Sequence, residues 1–196
     1  NNMKLLRIVA LSLLAMFLVA CGSATKKSYL NEDGSSSIPP EKAYGYAVKE
    51  LNKQQFESAV ALLEIAVKQD DAGAEQFVNM GIAYSRTEQY EESLKYLTKA
   101  LALAPGNADI LNEIGLVYHE QGKFDLSRKQ YVRALSSNPT HMNVNYNLGI
   151  LCDLYKEDLD CAIKHYKQYL ASSGVDDKQV KVWLKDLAKR KKRGNK

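Results

Sequence analysis

The sequence predicts an all-α protein, a solenoid of helical hairpins with about four repeats and a capping helix after them. Three observations carry that expectation. Residues register with one another at a fixed offset: Gly81 with Gly115, Tyr84 with Tyr118, Ser93 with Ser127, Ala100 with Ala134 and Pro105 with Pro139, each pair 34 residues apart. A period of this length marks a helical array. Within each period apolar residues recur at intervals of three and four, twice over, so each repeat reads as two amphipathic helices. The chain is 45% hydrophobic and 26% charged with only four Pro, a composition that suits one globular domain.

Small residues sit where the two helices of a repeat should cross. Gly81 with Ser93, and Gly115 with Ser127, let the backbones approach closely. Tyr84 and Tyr118 fill the wider part of the same seam, and Pro105 and Pro139 stop the second helix. The first repeat, about Pro40 to Gly73, keeps Ala47, Phe56, Ala59, Leu63 and Ala66 but lacks the Gly-Tyr seam. Pro40 suits a first helical position. The fourth repeat, about Met142 to Ser173, keeps Leu148, Gly149, Ala162 and Tyr166. It replaces the seam Tyr with Cys152 and carries one extra residue, expected in its turn around Lys156–Asp160. A helix should follow from about Asp176 to Lys189, with Val180, Trp183, Leu184 and Leu187 on one face. An open array needs its last face covered, and an amphipathic helix does this.

Phe77, Met80, Gly81, Tyr84, Ser93, Leu97, Ala100 and Pro105, and again Leu111, Ile114, Gly115, Tyr118, Ser127, Tyr131, Ala134 and Pro139, resemble the tetratricopeptide repeat family. The resemblance runs from about Pro40 to Ser173. It implies a groove lined by the first helix of each repeat, where a protein partner docks. The residues it puts there are Tyr44, Val48, Val78, Asn79, Ile82, Arg86, Asn112, Leu116, His119, Tyr146, Asn147, Ile150 and Leu154, with acidic Glu41, Glu75, Asp109, Glu120 and Asp153 among them. Asn79 and Asn147 sit where the family often bonds a peptide backbone. The subfamily that clamps a C-terminal carboxylate uses Lys, Arg and Asn where this chain has Val78 and Ile82, so that specificity is not expected. Tyr146 and Leu154, nearest the cap, are shared between two readings: groove lining, or packing against the helix of Trp183.

The N-terminal stretch reads as a leader. Lys4 and Arg7 precede an apolar run from Ile8 to Ala20, too short for a convincing membrane span. Leu18-Val19-Ala20-Cys21 resembles the lipobox of bacterial lipoproteins, which implies lipidation of Cys21 and removal of residues 1–20. Gly22, not Asp, follows the Cys, which favours the outer membrane, periplasmic face. Gly22 to Pro39 is Gly-Ser-rich and aperiodic, a flexible tether spanning on the order of 20–25 Å. The expected organisation is therefore leader 1–20, lipidated Cys and linker 21–39, repeats 40–174, capping helix 175–190 and basic tail 191–196.

The net charge of +4 is local in origin. Lys4 and Arg7 lie in the leader, and Lys189, Arg190, Lys191, Lys192, Arg193 and Lys196 lie at the C-terminal end. What remains is mildly acidic, which argues against nucleic acid as a partner. No catalytic constellation is expected: His119, His141 and His165 fall in different parts of different repeats, and there is no phosphate loop or nucleophile elbow. No metal and no cofactor is expected either. Cys152 should end one helix and Cys161 begin the next; antiparallel packing brings these ends close, leaving a disulfide or two buried free thiols. The functional expectation is a lipid-anchored periplasmic scaffold for an envelope machine. The repeat domain with its lipobox is similar to pilotin-type lipoproteins of type IV pili, which serve secretin assembly. The closing segment, IKHYKQYL then DDKQVKVWLKDLAKR, is similar to repeat lipoproteins of TonB–ExbB–ExbD-type transport. An adaptor for cell-wall hydrolases is a third reading, and a cell-wall enzyme a fourth.

Overall fold

The structure, a computed structural model, describes residues 29, 36–70 and 72–194. The leader, Cys21 and most of the linker lie outside the described residues. The chain divides into two units, residues 1–37 and residues 38–196. In the first, both the amide and the hydroxyl of Ser37 donate to the carbonyl of Tyr29, at 2.8 and 2.9 Å.

The second unit is a succession of antiparallel helical pairs. They are α1 (Pro40–Asn52) with α2 (Phe56–Ala66), α3 (Ala74–Arg86) with α4 (Tyr90–Leu103), α5 (Ala108–Glu120) with α6 (Phe124–Ser137), and α7 (Met142–Ile150) with α8 (Leu159–Ser173). A last helix, α9 (Lys178–Gly194), packs on α8. No strand of a sheet runs through the described part of this unit, as the all-α reading requires. Pro40 stands at the start of α1, where its missing N–H leaves no helical bond unmade.

Each hairpin turns on one left-handed residue: Gln54 (φ 58°), Glu88 (φ 60°), Gly122 (φ 70°) and Glu157 (φ 50°). Only the third repeat places glycine there, the residue that adopts this conformation without steric penalty. One backbone bond then closes the turn. It runs from Gln55 N to Glu50 O, Gln89 N to Tyr84 O and Lys123 N to Tyr118 O, five residues each, but from Asp158 N to Cys152 O, six residues. The extra residue of the fourth repeat therefore lies between Cys152 and Glu157, inside the span this bond closes and ahead of most of the expected Lys156–Asp160. It is taken up where α7 runs on into a π-helical turn, Leu151–Tyr155. Single π-turns are the usual way a helix houses one inserted residue.

The seams show why glycine recurs. A Cβ on Gly81 would stand 2.5 Å from Leu97 Cγ, one on Gly115 2.4 Å from Tyr131 Cε1, and one on Gly149 2.6 Å from Tyr166 Cδ1. Ser93 Oγ donates to Gly81 O at 2.7 Å across the first of these crossings. Tyr84 is not confined to its own seam: its hydroxyl donates to Glu64 Oε1 on α2 at 3.1 Å, tying repeat two to repeat one. The core continues from Leu111 and Tyr131 through Leu148, Leu151 and Tyr166 to Val180 and Leu187 of α9. Covering this last face removes apolar area worth roughly 25 cal/mol per Å2 from water.

Two boundaries differ from the sequence reading. The capping helix begins at Lys178, not residue 175, and extends through Gly194, so residues 191–194 are helix and not a separate tail. Asp177 Oδ1 accepts from Val180 N at 3.0 Å, which fixes the start. At the far end Arg190 Nη1 donates to Asp153 Oδ1 at 2.7 Å, and Lys191 pairs with Asp160. Part of the terminal basic charge thus fastens the cap to α8 and to the end of α7.

Candidate functional site: the face of the first helices

The first helices α1, α3, α5 and α7 lie side by side. Val48, Ile82, Leu116 and Ile150, one from each and 34 residues apart, are all half-buried, which leaves a partly covered aliphatic ladder along the face. Val78 adds to it on α3 and is also half-buried.

A polar ladder runs beside the aliphatic one. Asn79 Nδ2 donates to Tyr44 Oη at 2.8 Å, linking α3 to α1, and Asn147 Nδ2 donates to Asn112 Oδ1 at 2.9 Å, linking α7 to α5. The two Asn residues thus bind neighbouring helices in addition to any backbone they meet. Burial, followed by the Glu75 carboxylate beside it, pushes the Tyr44 hydroxyl up to about 12, so it stays protonated. Asn112 itself is buried, at 5% exposure, and supports this face from beneath. Arg86, Glu41, Glu75, Asp109 and Glu120 are exposed on its margins.

Two predicted residues are drawn elsewhere. His119 packs edge-on against Phe124 (5.6 Å) and Tyr155 (4.9 Å), while Phe124 and Tyr155 stack at 4.2 Å. Its Nε2 is buried without a hydrogen-bond partner, so the imidazole belongs to an aromatic cluster under the π-turn and not to the open face. Tyr146 leans on Tyr169 (5.0 Å) and on Trp183 (6.4 Å), and Trp183 also meets Tyr166 at 5.5 Å. The cap claims Tyr146, and Ile150 packs against the same cluster. The open part of the ladder is therefore centred on α3 and α5.

Sequence reasoning missed Glu113. It stands 34 residues from both Asn79 and Asn147, a position the period marked for any residue type, yet no family motif drew attention to it. Burial pushes its carboxyl above the ordinary carboxylate range, against the opposing pull of the Asn112 amide and the Arg86 guanidinium.

The sulfurs of Cys152 and Cys161 are bonded, with Cα atoms 5.8 Å apart. Asp158 lies near both, the one grouping of three metal-ligand side chains among the described residues. Its carboxylate has other partners: Oδ1 accepts from Cys161 N at 3.1 Å and Oδ2 pairs with Arg128 at 3.3 Å. With both sulfurs in the disulfide and the carboxylate capping α8, the arrangement is a structural closure.

Residues 77–137 match the model of the tetratricopeptide repeat family. A crystal structure of MamA superposes with a TM-score of 0.62 at 23% identity, covering 69% of this chain and 78% of that one. YrrB, described as a tetratricopeptide repeat protein with an unusual peptide-binding site, gives 0.62 at 21% identity over 76% of each chain. PilF of Pseudomonas aeruginosa gives 0.68 at 19% identity, over 79% of this chain and 69% of that one. These likenesses are of fold. No curated protein matches the chain by sequence.

Proposed function

We propose that this chain, a tetratricopeptide repeat protein, is a non-enzymatic scaffold that docks a protein partner on the face of its first helices. The observation that carries the reading is the aliphatic ladder of Val48, Ile82 and Leu116, left half-covered beside a polar ladder that is already bonded within the protein. Such a strip gives a peptide apolar anchors, and a few buried anchors dominate the affinity of an interface. The peptide-binding site named for YrrB supports the same use of the fold.

The finer reading is a lipoprotein tethered through Cys21 to the periplasmic face of the outer membrane, serving an envelope machine. Its support is the Leu18-Val19-Ala20-Cys21 motif and the following tether. The resemblance of the repeat domain and lipobox to pilotin-type lipoproteins favours pilus and secretin assembly, and the shared fold of PilF is in keeping with it. The closing segment, from Ile163 to Arg190, favours a TonB–ExbB–ExbD-type system.

Two substitutions test the two halves of the proposal. Cys21→Ser should release the protein from membranes or stall its maturation; equal partitioning of variant and parent sinks the anchor. Ile82→Glu with Leu116→Glu should abolish cross-linking in cells to secretin or to ExbB–ExbD components while leaving helicity and melting temperature near parental. Unchanged cross-links would place recognition off this face.

A further inference from the structure

Asn79, Glu113 and Asn147 occupy the same register on α3, α5 and α7. At the outer two steps this residue reaches back to the preceding first helix, Asn79 to Tyr44 and Asn147 to Asn112, each 35 residues earlier. The middle step breaks the pattern. The residue 35 before Glu113 is Val78, whose side chain has no polar atom to offer. Glu113 instead accepts from Asn112 Nδ2 on its own helix, at 3.2 Å. The carboxylate is half-buried, and its second oxygen makes no hydrogen bond among the described residues. A desolvated carboxylate held this way gains from a cation brought to it.

The charges around it are mostly acidic, although the Arg86 guanidinium already acts on the same carboxylate. Glu41, Glu75, Asp109 and Glu120 are exposed on the margins of the same face, with Arg86 as the opposing charge. A basic occupant is drawn in by that field and an acidic one repelled.

We infer that the occupant is a peptide segment carrying a Lys or Arg flanked by aliphatic side chains. Its cation sits on Glu113, and its aliphatic groups lie along Val78, Ile82 and Leu116. Glu113 then decides which segment fits, by charge, where the aliphatic ladder supplies affinity without discrimination. The inference rests on the docking face proposed above and adds to it the chemistry of what docks.

Random dodecapeptides displayed on phage, panned in parallel on the full chain and on its Glu113→Gln variant, test this. The expected parental pool is enriched in Lys or Arg beside Leu, Ile or Val, and the Glu113→Gln pool loses that enrichment. A synthetic peptide from the parental pool should bind Glu113→Gln about tenfold more weakly, the equivalent of about 1.4 kcal/mol. Its Lys→Gln analogue should bind parent and variant alike. Glu113→Asp, which keeps the charge, should retain part of the preference, and matched melting temperatures for all three proteins exclude misfolding. Equal Lys and Arg content in the two pools overturns the role of Glu113. If Ile82→Glu with Leu116→Glu still holds the parental pool, the docking face itself is wrong. An empty parental pool overturns both.

Discussion

At Gly115 the helices α5 and α6 meet with no room for a methyl group, because the ring of the fully buried Tyr131 occupies the space. Gly115→Ala should therefore destabilise the fold by roughly 1–3 kcal/mol, and Gly115→Leu by more. Urea denaturation of the two variants checks this; an unchanged midpoint would mean the crossing is placed wrongly. The left-handed turn residues predict the opposite sign. Glu88→Gly removes a backbone penalty of about 1–2 kcal/mol at φ 60°, against about 0.5–1 kcal/mol of added unfolded-state freedom, so a small stabilisation is expected. His165 gives a pH dependence. Burial, then Lys164 and Arg128, lowers its pKa from 6.5 to about 4, and its Nδ1 lies 2.8 Å from Asn145 Oδ1. The unfolded chain takes up the proton first as pH falls. Stability is thus full above about pH 6.5 and declines as pH drops toward 4, and His165→Gln should flatten that slope in a melting-temperature titration. At this scale the sequence exposes glycine seams, because a conserved spacing acts on a residue type with one steric meaning. It hides Gln54, Glu88 and Glu157, because side chains that ordinarily avoid positive φ leave no cue that the backbone adopts it.

Among the elements, the fourth hairpin departs most from its fellows. The period showed its extra residue, but not where the helix would house it. Both a longer turn and a π-turn satisfy the same count; in the π-turn Cys152 meets Cys161 and Tyr155 stacks on Phe124. The bridge closes a short loop, so Cys152→Ala with Cys161→Ala should lower stability by about 2–3 kcal/mol through the freedom returned to the unfolded chain. Chemical denaturation with and without reductant checks it; identical midpoints for the parent would show that the bridge contributes nothing. The cap was legible as an amphipathic face, since Val180, Trp183, Leu184 and Leu187 share it. Its last turn was not, because a run of Lys and Arg reads as solvated until Asp153 and Asp160 are seen opposite Arg190 and Lys191.

For the whole molecule, stability should be a sum over neighbouring hairpins. Gly81→Ala and Gly149→Ala, in hairpins that do not share a seam, should combine to within about 0.5 kcal/mol of the sum of their separate effects. A double variant measured by denaturation and found far from that sum would show the array behaving as one indivisible core. The aliphatic face of the first helices was legible as a set of positions, since a 34-residue ruler finds Val48, Ile82, Leu116 and Ile150 together. What each position does there was less so. His119 and Tyr146 carry the right numbers but are claimed by the π-turn cluster and by the cap, contacts made by segments outside the repeat pattern.

The place of the inserted residue has a further consequence. It lies after Ile150, so every rung of the aliphatic ladder keeps its spacing, while on the far side of the hairpin the seam pair lengthens from Gly115–Tyr131 to Gly149–Tyr166. The two surfaces of the array are thereby uncoupled in length: the tip of a first helix can house an added residue without disturbing the spacing of the rungs before it.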